Sequence, residues 1–255
     1  MPKTLTPTQG WLADPESFPL YPDTVTEFGS TLIVAPHPDD ETLGCGGAIA
    51  LLKQAGNSVQ VLVISDGTAS HPNSHQYPEE KLRSLRQQET LSALSSLGVD
   101  SSAVTFLNLK DGAVPIPGKI EFEQAVADCC TYLNTFKPET IILPWRRDPH
   151  ADHRASWRII QKAINNLAIS PRILEYPIWS WEQAEIDDIP LPQTVKAWRL
   201  DISRVSLQKK EAIAHYRSQT TDLINDDPQG FRLTPEVLAH FARPWEVYLE
   251  VGNGY

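Results

Sequence analysis

Short apolar runs recur from residue 31 onward, and longer segments with apolar residues at helical spacing lie between them. The runs are 31–35, 58–65, 103–109, 139–143 and 172–176, and they read as buried strands. The segments at about 42–55, 78–97, 119–136 and 152–167 read as helices. Strand and helix in alternation are the pattern of a parallel sheet with crossover helices. The expected fold is therefore α/β: a Rossmann-like, doubly wound, mostly parallel sheet. A β/α C-terminal extension follows, with a strand-like run at 195–202, a helix at 204–217, a short helix near 234–242 and a final strand at 245–251. Residues 1–29 are rich in Thr, Pro, Asp and Glu, with isolated Trp11, Phe18 and Tyr21. They read as an irregular arm pinned by those aromatics, ahead of a single domain over 30–255. The stretch 66–80, with Gly67, His71, Pro72 and Asn73, reads as a long polar loop and a candidate rim.

Two polar clusters follow the first and fourth runs. Ala35-Pro36-His37-Pro38-Asp39-Asp40-Glu41 packs one imidazole and three carboxylates into five residues. Crowded like charges call for something positive, and a divalent metal is the obvious candidate. Asp148-Pro149-His150-Ala151-Asp152-His153-Arg154 is the second cluster. Asp148 reads as a helix N-cap with Pro149 at the first helical position. In the doubly wound order 3-2-1-4-5 the first and fourth strands are neighbours at the switch point, where ligands bind. The two clusters would then meet in one crevice.

A catalytic zinc site takes about three N or O ligands and leaves a place for water. His37, Asp40 and His153 supply two imidazoles and a carboxylate. Asp39 is left beside them as a general base. His150, with Asp152 as partner, is expected as an imidazolium able to stabilise an oxyanion. The set suits attack of activated water on a carbonyl. Other candidates read more plainly. Gly44-Cys45-Gly46-Gly47 misses the nucleotide-binding spacing and suits close helix–sheet packing. Trp179 and Trp181 read as core aromatics in preference to a sugar-facing wall. Arg86 with Glu89 reads either as a surface pair or as a substrate contact, and Asp111 either as a turn residue or as a substrate contact. His71 reads as solvated.

Charge narrows the partners. A formal net charge of −10 argues against broad nucleic-acid binding and against attraction to anionic membranes. Arg146, Arg147, Arg154 and Arg158 nevertheless surround the second cluster, and the first three would favour a substrate that bears an anionic group. Cys45, Cys129 and Cys130 provide no disulfide framework, so a reduced cytoplasm is the default expectation. No apolar run approaches the length of a membrane span.

The two His-containing motifs together resemble the PIG-L/LmbE-like zinc-dependent N-deacetylases. Leu85-Arg86-Gln87-Gln88-Glu89, Phe106-Leu107-Asn108-Leu109-Lys110-Asp111-Gly112 and the tail stretch Lys210–Gln219 match more weakly. The resemblance covers about residues 31 to 220. It implies metal ligands at His37, Asp40 and His153, a base at Asp39, and substrate contacts at Arg86 and Asp111. Ala151 stands where the family often has Pro. The implied activity is removal of the acetyl group from an N-acetylated amino sugar, with Zn2+ or another divalent ion as cofactor. The alternatives are an amidase acting on a thiol conjugate or a natural-product N-acyl amine, and a non-catalytic sugar-binding protein on the same scaffold. The expected partner is a small-molecule N-acyl amino sugar, with no nucleic acid and no membrane insertion; a homo-oligomer is compatible.

Overall fold

The structure is a computed structural model that describes residues 11–182 and 195–251. Strand β2 (Thr31–Ala35) shows how the fold is organised. Leu32 and Val34 enter one apolar cluster, and Ile33 and Ala35 enter another. A strand buried on both faces belongs at the centre of a sheet covered on both sides. Parallel strands β3 (Val59–Ser65) and β4 (Val104–Leu109) extend the sheet from one side of β2. β5 (Thr140–Pro144) and β6 (Arg172–Tyr176) extend it from the other. The register Thr31↔Thr140, Leu32↔Ile141, Ile33↔Ile142 makes the two cluster-bearing strands direct neighbours, as the doubly wound order predicts.

Helices cover both faces. α1 (Asp40–Gln54), α2 (Glu79–Ser96) and α5 (Ser206–Ile213) pack on the Ile33 side. α3 (Ile120–Phe136) and α4 (Ala151–Leu167) pack on the Leu32 side. The tail adds α6 (Arg217–Thr220), α7 (Pro235–Phe241), β7 (Val195–Asp201) and β8 (Trp245–Val251). The expected helix over 204–217 is broken, because Tyr216 turns into the core between α5 and α6. β8 lies antiparallel between β6 and β7. β1 (Leu20–Tyr21) pairs with β7, so the N-terminal segment is not wholly irregular. The full order is β1-β7-β8-β6-β5-β2-β3-β4. Trp11 lies 6.1 Å from both Phe18 and Trp145, and Tyr21 lies 5.3 Å from Trp198. The first ten residues of the expected arm fall outside the described ones.

α1 is buried from Asp40 through Leu52, so every side of it meets protein. A Cβ on Gly44 would come 2.2 Å from the Tyr176 ring, and one on Gly47 would come 2.6 Å from Ile202. The glycine-rich run is therefore a close-packing device. Buried Glu246 on β8 locks the same helix to the tail. Its carboxylate accepts from Gly47 N (2.7 Å), Ala48 N (2.9 Å) and Lys209 Nζ (2.7 Å). Among the described residues, no helix is long and apolar enough to cross a membrane.

Gly44→Ala should force the helix off Tyr176 and lower stability by about 1–3 kcal/mol, the usual cost of overpacking. Urea denaturation of the two proteins measures it; equal midpoints would mean that the helix–sheet contact has slack.

Candidate active site

β2 ends at Ala35, and Pro36-His37-Pro38 bends and turns beyond the strand's carboxyl end. Asp39 then adopts φ +129°, a conformation an L side chain rarely takes. Its N–H donates to Glu41 Oε2 at 3.2 Å, and Glu41 in turn accepts from Thr42 (2.9 Å) and Tyr216. α1 begins at Asp40, two residues before the predicted start. The early start is favourable because carboxylates at a helix N-terminus face its unpaired N–H groups. Asp40 Oδ2 also accepts from His37 N at 2.9 Å.

Across the crevice, β5 leads into the second cluster. Here the cap differs from expectation. His150, not Asp148, is the N-cap of α4, and its Nδ1 accepts from Asp152 N at 3.2 Å. Asp148 is fully buried and spends its carboxylate elsewhere, on His150 N (2.9 Å), Ile178 N (3.3 Å) and Trp179 N (3.0 Å).

The loops bring His37, Asp40 and His153 into a small triangle. His37 Nδ1 lies 3.2 Å from Asp40 Oδ2 and 3.3 Å from His153 Nε2. The third side, His153 Nε2 to Asp40 Oδ2, is 3.2 Å. Tetrahedral zinc with bonds of about 2.0–2.1 Å spaces its ligands about 3.3 Å apart. The donor set and its spacing therefore fit a zinc-sized divalent ion. His37, His150 and His153 also bring ring nitrogens within 4.8 Å of one another, and His37, Asp111 and Asp152 do the same with one ring nitrogen and two carboxylate oxygens. The tighter triangle is the better seat, because Asp152 is already committed to Gly112 N (2.8 Å) and Val114 N (3.2 Å). His150 is committed through Nδ1. The triangle also leaves His37 Nε2 facing Asp152 (3.2 Å) and Asp111 (3.3 Å), the carboxylate backing that orients a ligating imidazole. His153 Nδ1 lies 3.4 Å from Asp148 Oδ1, near enough for attraction but too poorly aligned for a hydrogen bond.

Charges in the crevice are strongly coupled. Burial disfavours the His37 imidazolium, but Asp111, Asp152 and Asp40 outweigh it and hold the ring well above its ordinary range. Burial is likewise outweighed at His153, which Asp40 and Asp148 raise to about 9. Asp40 is correspondingly held far below the usual carboxylate range by the two rings, against its own burial. Asp39 behaves differently. Burial raises it, Arg86 pulls it down, and Asp40 and Glu41 push it up, leaving it at about 8.

Arg86 and Glu89 are both buried, so the surface-pair reading fails. Arg86 donates to Asp39 Oδ2 (3.0 Å), to Gly67 O (3.1 Å) and to the Pro38 carbonyl. Glu89 accepts from Ser218 N (2.7 Å) and Oγ (2.6 Å). Asp111 accepts from Ala69 N at 2.8 Å, and His37 outweighs its burial to bring it down to about 2. The expected His150 imidazolium is corrected. Burial, His37 and His153 push that ring down to about 4. Its Asp152 partner has turned to His37, and an Nδ1 that accepts a backbone N–H cannot carry a proton. The neutral ring holds its proton on Nε2. His71 is also corrected from solvated to buried, because the 226–231 segment closes over its loop. Trp181 is core as expected, whereas half-buried Trp179 lines the crevice. Asp148, Glu41 and Tyr216 are the supports that sequence reasoning missed. A fully polar Asp beside an apolar strand end was the one available signal for Asp148; nothing local marked Tyr216.

A family model described as "PIG-L: GlcNAc-PI de-N-acetylase" matches residues 32–164, a little over half of the chain. A 1D-myo-inositol 2-acetamido-2-deoxy-alpha-D-glucopyranoside deacetylase of Mycobacterium sp. (strain KMS) is 25% identical over 203 residues, covering 64% of this chain and 64% of the relative. The chain thus spans less than two thirds of that relative's length. Among solved structures, the N,N'-diacetylchitobiose deacetylase of Pyrococcus horikoshii aligns with a TM-score of 0.59 and 22% identity, over 76% of this chain and 71% of that one. GalB, the 4-carboxy-2-hydroxymuconate hydratase of Pseudomonas putida KT2440, aligns with a TM-score of 0.63 and 17% identity, over 89% and 97%. At these identities both likenesses speak for the fold alone.

Elemental analysis should find one divalent ion per chain, and Asp40→Asn or His153→Ala should lose it. Asp148→Asn should weaken metal affinity by about 10–100-fold, the usual effect of disturbing an outer support. Full metal content in His153→Ala would exclude the triangle as the seat.

Proposed function

The chain belongs to the PIG-L family, and on that premise we propose that it is a metal-dependent hydrolase that removes the acetyl group from an N-acetylated amino sugar. The observation that carries this reading is the near-equilateral His37–Asp40–His153 triangle with the Asp39 carboxylate beside it. His37, Asp39 and Asp40 border a cavity of about 240 Å³ together with Arg86, Asp111 and His150, with His153 buried behind them. That is the liquid volume of roughly eight waters and below the ~300–1,000 Å³ of sites for drug-sized ligands. It suits a reacting group of monosaccharide size.

A zinc or other divalent ion held by the triangle would supply Lewis acidity toward water and the acyl oxygen. The remaining work falls to side chains. Asp39 takes the proton of the attacking water and returns it to the leaving nitrogen. A pKa raised toward 8 suits both transfers, because a proton shuttle works best near the operating pH. Arg86 fixes the Asp39 carboxylate through Oδ2. His150, neutral with its proton on Nε2, donates to the acyl oxygen as negative charge develops there. Asp152 accepts from His37 Nε2, Asp111 lies 3.3 Å from the same nitrogen, and the two carboxylates hold that ring in place. The test is to incubate the zinc-loaded protein with 2-acetamido-2-deoxyglucosides and measure free amine and acetate. Bound metal with no amine from any glycoside would overturn the reading.

Asp39→Asn should keep its metal and lose at least about a hundredfold in turnover. Equal metal loss in Asp39→Asn and Asp40→Asn would mean that base and ligand are exchanged. Asp39 acts as a carboxylate, so turnover should fall as pH drops through its pKa, which burial raises and Arg86 lowers; a bound divalent ion would add a further downward pull. Arg86→Met removes the charge that lowers that pKa and should move this acid limb to higher pH.

His150→Ala should cost roughly 10²–10³ in turnover, as loss of an oxyanion donor does. Its ring is already neutral above about 4, so the basic limb should stay where it is. A basic limb that disappeared with His150 would restore the imidazolium.

A further inference from the structure

The floor of the cavity is charged and its outer wall is not. Ile178 and Trp179 follow β6, and Phe231, Leu233, Val237 and Phe241 come from the chain after α6; all border the same cavity as His150. These wall residues lie outside the span of the family match. The rings lead outward in order. His150 lies 4.7 Å from His37, Trp179 stacks 6.2 Å from His150, and Phe231 meets Trp179 edge-on at 5.6 Å. The apolar wall therefore begins one ring beyond the reacting end.

The wall is held in place by backbone bonds. Ile178 N and Trp179 N donate to Asp148 Oδ2 at 3.3 and 3.0 Å. Phe231 N donates to Ser70 O at 2.6 Å, and Leu233 N donates to Gln219 O at 2.8 Å. Asp227 beside this segment accepts from Asn73 N at 2.8 Å. The cations expected to favour an anionic aglycone lie elsewhere. Arg146 pairs with Glu175 at 2.7 Å, and Arg154 donates to the carbonyls of Asp148 (2.6 Å) and Pro149 (2.7 Å). Neither they nor Arg147 borders the cavity.

We propose that this wall binds an apolar substituent, aliphatic or aromatic, adjoining the N-acyl amine. The proposal rests on the deacetylase reading and narrows its substrate class. A carboxylate or polyol against these side chains would give up hydration without gaining partners. An alkyl or phenyl group would leave water at no such cost, with each buried methylene worth about fourfold in affinity. Such a group could hang from the sugar's anomeric oxygen or extend the acyl chain.

Two matched series separate those sources, both assayed on the zinc-loaded full chain. One carries methyl, propyl, pentyl, phenyl and carboxymethyl groups on the anomeric oxygen of N-acetylglucosamine, in both anomers. The other carries acetyl, butanoyl and hexanoyl groups on the amine of the methyl glycosides. The expected result is a kcat/KM that rises about fourfold per methylene in one series, with carboxymethyl below methyl. Phe231→Ser and Val237→Ser, each checked for folding by thermal denaturation, should flatten that rise. A flat response in both series, a preference for carboxymethyl, or a rise undiminished in both folded variants would overturn the proposal. If no compound released amine, the deacetylase reading would fail instead. Calorimetric binding of the same glycosides would then decide the wall: the same gain per methylene supports it, and no gain overturns it.

Discussion

His37 stands where two charge networks cross, and the crevice is arranged around it. One ring nitrogen faces Asp40 and His153, and the other faces Asp152 and Asp111. Carboxylates withdrawn from water at this density are costly unless positive charge compensates them. Two protons on His37 and His153, or one divalent ion among the three atoms of the triangle, would supply the same two charges. The same crowding explains why the adjacent acids differ. Asp40 has both rings within 3.2 Å and stays ionised, whereas Asp39 has Arg86 and a weaker pull from His37 against burial and two carboxylates.

That arrangement requires a rigid frame. Asp39 keeps a backbone conformation that costs on the order of 1–3 kcal/mol, which persists only when its surroundings over-determine it. Glu41 holds its N–H, Tyr216 holds Glu41, and Arg86 holds its side chain. Behind them α1 is wedged against Tyr176 at Gly44 and bound to β8 through Glu246. The tail thus supports the reacting end from beneath and builds the wall in front of it. Asp148 joins the two, lying beside His153 while it fixes the Ile178–Trp179 corner. A shared fold does not carry a shared reaction, so the chemistry has to be argued from these side chains.

The sequence by itself determined the strand–helix alternation, the neighbouring of the strands that carry the two clusters, and the residue types available to hold a metal. These are local properties: periodicity reports burial over a few residues, and a motif reports its chemistry whatever surrounds it. Even the crevice was legible, because the doubly wound order follows from connection rules and not from contacts. The tertiary structure alone decided the rest. It placed β8 antiparallel between β6 and β7, a pairing no local pattern encodes. It turned Asp152 toward His37, buried His150 beside two other rings and set its Nδ1 to accept a backbone N–H, and a ring with one nitrogen accepting cannot be an imidazolium. It separated Trp179 from Trp181, two positions apart and alike in sequence, by what packs against each. Each of these outcomes rests on partners distant along the chain, and pairings at that range are set only when the whole core closes.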